Sequence, residues 1–82
     1  IWEAVPDESF EETWKARAAQ LANGPTEAYQ NVKKAIRASL GNTLDEQLAL
    51  EAKLQKECGQ TRDFAEGVLA FSEKRPAKFE GR

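Results

Sequence analysis

Three places in this sequence carry residue types that could do chemistry. Glu51 sits in the middle of an apolar helical arc formed by Leu44, Leu48, Leu50, Leu54 and Cys58, with Gln47 and Gln55 on either side. Burying an unpaired carboxylate costs several kcal/mol, so Glu51 must be paired or lie where the arc meets water. As a catalytic acid it would need a partner base, nucleophile or oxyanion hole, and none is recognisable. A paired, register-fixing Glu is the plainer reading. Cys58 closes the same arc near a helix C-terminus, where the negative end of the dipole disfavours a thiolate, so an inert buried thiol is expected. The third place is Phe71 and Lys74, an aromatic face and an ammonium one helical turn apart. Such a pair suits stacking on a ring and contact with a phosphate. Lys74, Arg75, Lys78 and Arg82 are opposed over that stretch by Glu80 alone. Cations at a helix C-terminus are also favoured by the dipole whatever the function. With no His in the chain, imidazole chemistry and His-ligated metal sites are excluded.

The elements that would position these residues follow from punctuation. Gly24-Pro25-Thr26, Gly41-Asn42-Thr43 and Gly59-Gln60-Thr61 recur at intervals of 17 and 18 residues. Gly after a helix end relieves a left-handed position, and Thr offers a capping oxygen to the next helix. Thr43 with Glu46 makes a capping box, as does Ser9 with Glu12, and Asp7 after Pro6 is an equally good first cap. Pro76 closes the last helix. The segments between the triplets are not self-similar, so the spacing reflects helix length plus turn. The expected class is all-α, with about four amphipathic helices at 8–22, 26–40, 44–58 and 62–75. Before them, Ile1 to Val5 alternates in polarity and reads as an extended segment, the end of a strand with partners upstream.

Faces follow from 100° per residue. The first helix aligns Phe10, Trp14, Ala18 and Leu21 as a core stripe. The second aligns Ala28, Val32, Ala35, Ile36 and Ser39, with Lys33, Lys34 and Arg37 solvated opposite. The fourth turns Phe64, Val68 and Phe71 inward, with Gly67 permitting close contact.

Composition bounds the partners. The chain has 82 residues, 40% hydrophobic and 32% charged, within the globular range. Its net charge of −2 gives no global positive field for nucleic acid. Strictly apolar runs reach four residues at most, at Val68 to Phe71, far short of the ~18 of a membrane span. A single Cys builds no disulfide framework and fits a reducing, cytoplasmic setting. So small a core is marginal alone, so support from further protein is expected. With no Met and no targeting segment, the chain reads as a piece of a longer polypeptide.

The tail taken whole, Glu66-Gly67-Val68-Leu69-Ala70-Phe71-Ser72-Glu73-Lys74-Arg75-Pro76-Ala77-Lys78-Phe79, resembles the C-terminal signature of the crotonase (enoyl-CoA hydratase/isomerase) superfamily, E-G-x-x-A-F-x-E-K-R-x-P-x-F. The Pro falls one place early. Ile1 to Asp7 resembles the last strand and turn of that fold, and Leu21 to Thr26 its usual helix junction. Residues 42–51 look closest to the epoxy-phenylacetyl-CoA isomerase branch of phenylacetate catabolism. The resemblance runs over essentially the whole chain.

That resemblance implies the C-terminal helical region of a crotonase α/β fold, with a catalytic ββα-repeat domain upstream. There, two backbone N–H groups would hold the oxyanion of an acyl-CoA thioester, so no catalytic residue is assigned to this chain, which alone should be inactive. It implies roles in subunit association as a trimer or dimer of trimers, in capping the acyl pocket, and in binding CoA through Phe71 and Lys74. Coenzyme A would enter as part of the substrate, with no separate cofactor and no metal. The alternative is a self-sufficient helical interaction module without activity, supported by the amphipathic faces and by Trp2 and Trp14.

Overall fold

Local hydrogen bonding divides the chain much as its punctuation does. The computed structural model describes residues 3–82, and Ile1 and Trp2 lie outside the described residues. Four α-helices follow a short 3-10 turn at Asp7–Ser9: α1 (Phe10–Ala22), α2 (Thr26–Ser39), α3 (Leu44–Gly59) and α4 (Arg62–Glu73). The all-α expectation stands. Residues 3–6 form no strand, and the extended segment continues only as irregular chain into Pro6.

The caps divide between confirmation and correction. Thr43 and Glu46 form a reciprocal box, with Glu46 N–H to Thr43 Oγ1 at 3.2 Å and Thr43 N–H to Glu46 Oε1 at 2.8 Å. The Thr43 amide, and then its hydroxyl, hold the Glu46 carboxyl below its ordinary range. Thr61 caps α4 by accepting from Phe64 N–H at 3.0 Å. The box expected at Ser9 and Glu12 does not form. Ser9 already has right-handed dihedrals and donates its N–H to Pro6 O at 2.9 Å, because α1 is entered through the 3-10 turn. Asp7 begins that turn instead of capping a helix. Thr26 makes no cap either: Pro25 takes that position and Thr26 becomes the first helical residue. Replacing Thr43 with Ala is expected to cost about 1 kcal/mol, lowering the thermal midpoint by roughly 4–8 °C. Calorimetry checks this, and an unchanged midpoint would show the box to be dispensable.

Glycine does not occupy the left-handed positions expected after the helices. Among the described residues, positive φ occurs at Lys74 (54°) and Gly81 (81°). Gly59 is the last residue of α3. Gly24 serves a different need: it is buried, and a Cβ there would overlap the Tyr29 phenol.

Packing is dominated by α2 against α3. The contact face of α2 is the narrow stripe Ala28, Asn31, Ala35 and Ala38, rotated from the expected Val32 and Ile36, which remain exposed. Asn31 Nδ2 lies 3.3 Å from Leu54 O, 3.4 Å from Glu57 Oε2 and 3.3 Å from Cys58 Sγ. Gln47 Nε2 donates back to Ala35 O at 3.0 Å, and Gln47 Oε1 accepts from Asn42 Nδ2 at 3.1 Å. On α3 the inward residues are Gln47, Leu50, Leu54 and Cys58, while Leu44 and Leu48 point outward. The expected α1 stripe is no core: Phe10, Trp14 and Leu21 are each close to half exposed or more, lining an open groove with Val5.

The result is open. The radius of gyration is 15.9 Å, against about 12 Å for a packed domain of this length. The accessible surface is 6920 Å², against roughly 4,900 Å² for a compact monomer of this mass.

Candidate functional site

The residues after α4 build the most organised polar structure in the molecule. The segment 75–82 runs back along α4, antiparallel to it, and two carboxylates hold it there. Asp63, 5% exposed in the first turn of α4, accepts from Glu80 N–H at 2.7 Å and Gly81 N–H at 2.8 Å. Its own N–H donates to Arg82 O at 2.9 Å. One turn on, Glu66 accepts from Lys78 N–H at 2.7 Å and from both Arg75 Nη atoms at 2.8 and 3.1 Å. Charge-assisted, bidentate bonds of this kind are among the stronger polar contacts.

This latch changes the expected orientation of α4. Its covered face is Asp63, Glu66, Gly67 and Ala70, whereas Phe64, Val68 and Phe71 face out. The aromatic stripe was expected inside because it is the more apolar side. The tail instead covers the adjoining side, where backbone N–H groups satisfy the two carboxylates. Phe79 lies over Gly67, where a Cβ would come within 3.8 Å of its ring. A groove of about 410 Å³ results, lined by Phe64, Val68 and Phe71 of α4, Phe79 of the tail, and Ala28 and Cys58.

The two arginines of the basic cluster are engaged. Arg75 Nε also binds Glu73 at 2.6 Å, and Arg82 Nε binds Glu80 at 3.0 Å. Hydrogen bonds from Arg75, and then from the Lys78 amide, hold the Glu66 carboxyl down at about 2, and Glu66 in turn raises Arg75. Because the folded value lies below the ordinary ~4.3 of a free Glu, the stabilisation is complete above that ordinary value. It is lost as pH falls through about 2. The Glu66 side-chain carbon resonance should therefore titrate near the lower value. An ordinary midpoint would show that the latch is not formed in solution.

Phe71 and Lys74 occupy different settings. Phe71 is 87% exposed at the groove. Lys74 has left the helix: α4 stops at Glu73, two residues before the expected end, and Lys74 takes the left-handed position after it. Its backbone N–H still reaches Phe71 O at 3.2 Å, but Lys74 does not line the groove. Glu51 is exposed at the rim of a groove between α2 and α3, so the wet-edge alternative holds and no buried pairing is needed. Cys58 is only partly buried, with Asn31 donating to its sulfur. Two residues central to the packing, Asn31 and Asp63, carried no apolar signal. Their clue was position, since each is polar at helical spacing from small, at least partly buried neighbours: Ala28 and Ala35 for Asn31, Gly67 and Ala70 for Asp63.

Comparison with known proteins agrees across the chain. The family described as Enoyl-CoA hydratase/isomerase matches residues 1–82. A protein of Rhodobacter capsulatus named probable enoyl-CoA hydratase is 63% identical over all 82 residues, which cover 32% of its length. The 1,2-epoxyphenylacetyl-CoA isomerase of Escherichia coli K12 is 42% identical over the same span, covering 31% of its length. The chain thus spans about a third of the curated relatives it matches. Among solved structures, an enoyl-CoA hydratase of Geobacillus kaustophilus HTA426 superposes with a TM-score of 0.81 at 32% identity. That superposition covers 94% of this chain and 29% of the other.

Proposed function

The chain belongs to the enoyl-CoA hydratase/isomerase family, and from that membership we propose that it is the C-terminal helical region of an enzyme acting on acyl-CoA thioesters. The reaction belongs to an upstream domain, whose oxyanion hole stabilises a thioester enolate. The helices described above associate subunits into a trimer or dimer of trimers, cap the acyl pocket, and contribute Phe71 and Lys74 to the adenine and phosphate end of CoA. Coenzyme A arrives as part of the substrate, with no further cofactor, in a cytoplasmic enzyme. The likeness of residues 42–51 to the epoxy-phenylacetyl-CoA isomerase branch makes arylacetyl thioesters the class to try beside straight-chain ones.

The observation that carries this reading is the uncovered apolar surface. Phe10, Trp14, Ile36, Leu44, Leu48, Phe64 and Phe71 all face outward. The surface excess of roughly 2,000 Å² over a compact monomer matches what a substantial protein interface buries. Stripes of that size on a lone domain are expected to lie against other protein.

The test compares the 82-residue chain with the full-length protein in an assay of 2-enoyl-CoA turnover. Activity is expected in the full-length protein and none in the chain alone. Turnover by the isolated chain would overturn the division of labour. Inactivity of the full-length protein on every acyl-CoA thioester offered would overturn the substrate class.

A further inference from the structure

We propose that Glu66 is a positioning residue for the Lys74 ammonium, holding the left-handed turn that carries this side chain out of α4. The inference rests on the reading that Lys74 meets a CoA phosphate, and it adds what places the ammonium there.

Lys74 has φ 54° and ψ 47°. For an L-residue with a Cβ this conformation costs roughly 1–2 kcal/mol, and Gly is its usual occupant. A Lys held there needs neighbours that fix the backbone, and such strain gathers where a side chain is used. The neighbours are visible on both sides. Lys74 N–H donates to Phe71 O at 3.2 Å and Arg75 N–H to Ala70 O at 3.0 Å, the paired bonds that end a helix in a left-handed residue. Arg75 then ties the turn down with its whole guanidinium. Its Nη atoms grip Glu66, Nε binds Glu73 at 2.6 Å, and Nη1 also reaches Pro76 O at 3.1 Å. Glu66 further accepts from Lys78 N–H, so the chain on the far side of the turn returns to the same carboxylate.

Among the described residues, Glu66 is thus the one side-chain acceptor joining the helix body to both Arg75 and the returning tail. Lys74 itself stays exposed, with no ion-pair partner among the described residues. Its backbone is immobilised while its charge remains available. An anion meeting that ammonium has less chain entropy to remove, so binding is stronger than to a frayed helix end. Without the clamp, the turn relaxes and the ammonium samples many positions.

The experiment uses the full-length enzyme and a double-mutant cycle of Glu66→Ala and Lys74→Gln. The same acyl group is presented on coenzyme A and on pantetheine, which carries no phosphate. Glu66→Ala is expected to raise KM for the CoA thioester roughly three- to tenfold with kcat unchanged. KM for the pantetheine thioester should not move. In a Lys74→Gln background, introducing Glu66→Ala as well should have no further effect. Glu66→Gln, which keeps an acceptor oxygen, should fall between, and it replaces the Ala variant in the cycle if that variant fails to fold. A silent Glu66 variant beside an effective Lys74→Gln overturns the positioning role alone. So does an effect that is additive with Lys74→Gln or extends to pantetheine, since that marks general structural damage. If Lys74→Gln itself is silent, the phosphate contact is wrong and the positioning role falls with it.

Discussion

Exchanging Asp63 for Ala is expected to detach residues 79–82 from α4 while leaving the four helices in place. The carboxylate is 5% exposed and accepts from two consecutive backbone amides, Glu80 and Gly81, at 2.7 and 2.8 Å. Hydrogen bonds to a charged group contribute about 1.5–3 kcal/mol each, so losing both removes most of what holds the end of the tail. The freed amides can turn to water, because local release of a segment lying on the surface of α4 costs less than leaving them buried. Hydrogen exchange at Glu80 and Gly81 should accelerate by at least about thirtyfold, while Lys78 keeps partial protection through Glu66. Asp63→Asn should give a smaller acceleration, since one acceptor oxygen remains and an NH₂ group then faces an N–H. Unchanged exchange in the Ala variant would show that another contact holds the tail. Release would also take Phe79 from the groove, making Asp63 a structural support for the Phe71 side of the proposed CoA contact.

The second large effect is expected at Leu54. It is 7% exposed and meets the α2 stripe that includes Ala28, Asn31 and Ala35. Truncation to Ala should cost roughly 2–4 kcal/mol from lost transfer energy and the cavity left behind. So open a molecule has few other apolar contacts in reserve, and that cost is a large share of any domain's margin. Thermal unfolding followed by circular dichroism should show the midpoint falling by about 10 °C or more. Leu48→Ala is the companion variant, because Leu48 is 56% exposed on the same helix. In the 82-residue chain it should shift stability by less than about 0.5 kcal/mol. In the proposed full-length oligomer, where that face would be covered, it should be far more costly. Equal effects of Leu54 and Leu48 in the isolated chain would contradict the packing described here.

These outcomes separate the parts of the molecule that were legible in the amino-acid order from those that were not. Helix number and most ends were legible, from 26–39 and 44–59 to the turns at Asn23 and Gln60. The capping box at Thr43 and Glu46 was equally legible, because it involves atoms only three residues apart. The faces were harder. Apolar periodicity identified the greasier side of α1 and α4, but Phe10, Trp14, Phe64 and Phe71 stay close to half exposed or more. The covered side of α4 is the one with two carboxylates, and it is buried because the tail returns to supply backbone donors. The family signature drew attention to Phe71 and Lys74 without revealing that one lies on the helix and the other on a left-handed turn.

The physical reason is range. A helix is made by bonds from each residue to one four positions away, closed by caps within a turn, so neighbouring residues are enough to specify it. Burial depends on what arrives from elsewhere: Asn31 meets Leu54 across 23 residues of chain, and Asp63 meets Gly81 across 18. Only the folded arrangement decided that Asn31 and Asp63 would be central while Phe71 stayed exposed. Pro76 announced that the last helix must stop, but only the folded arrangement showed Lys74 to be the left-handed residue that ends it.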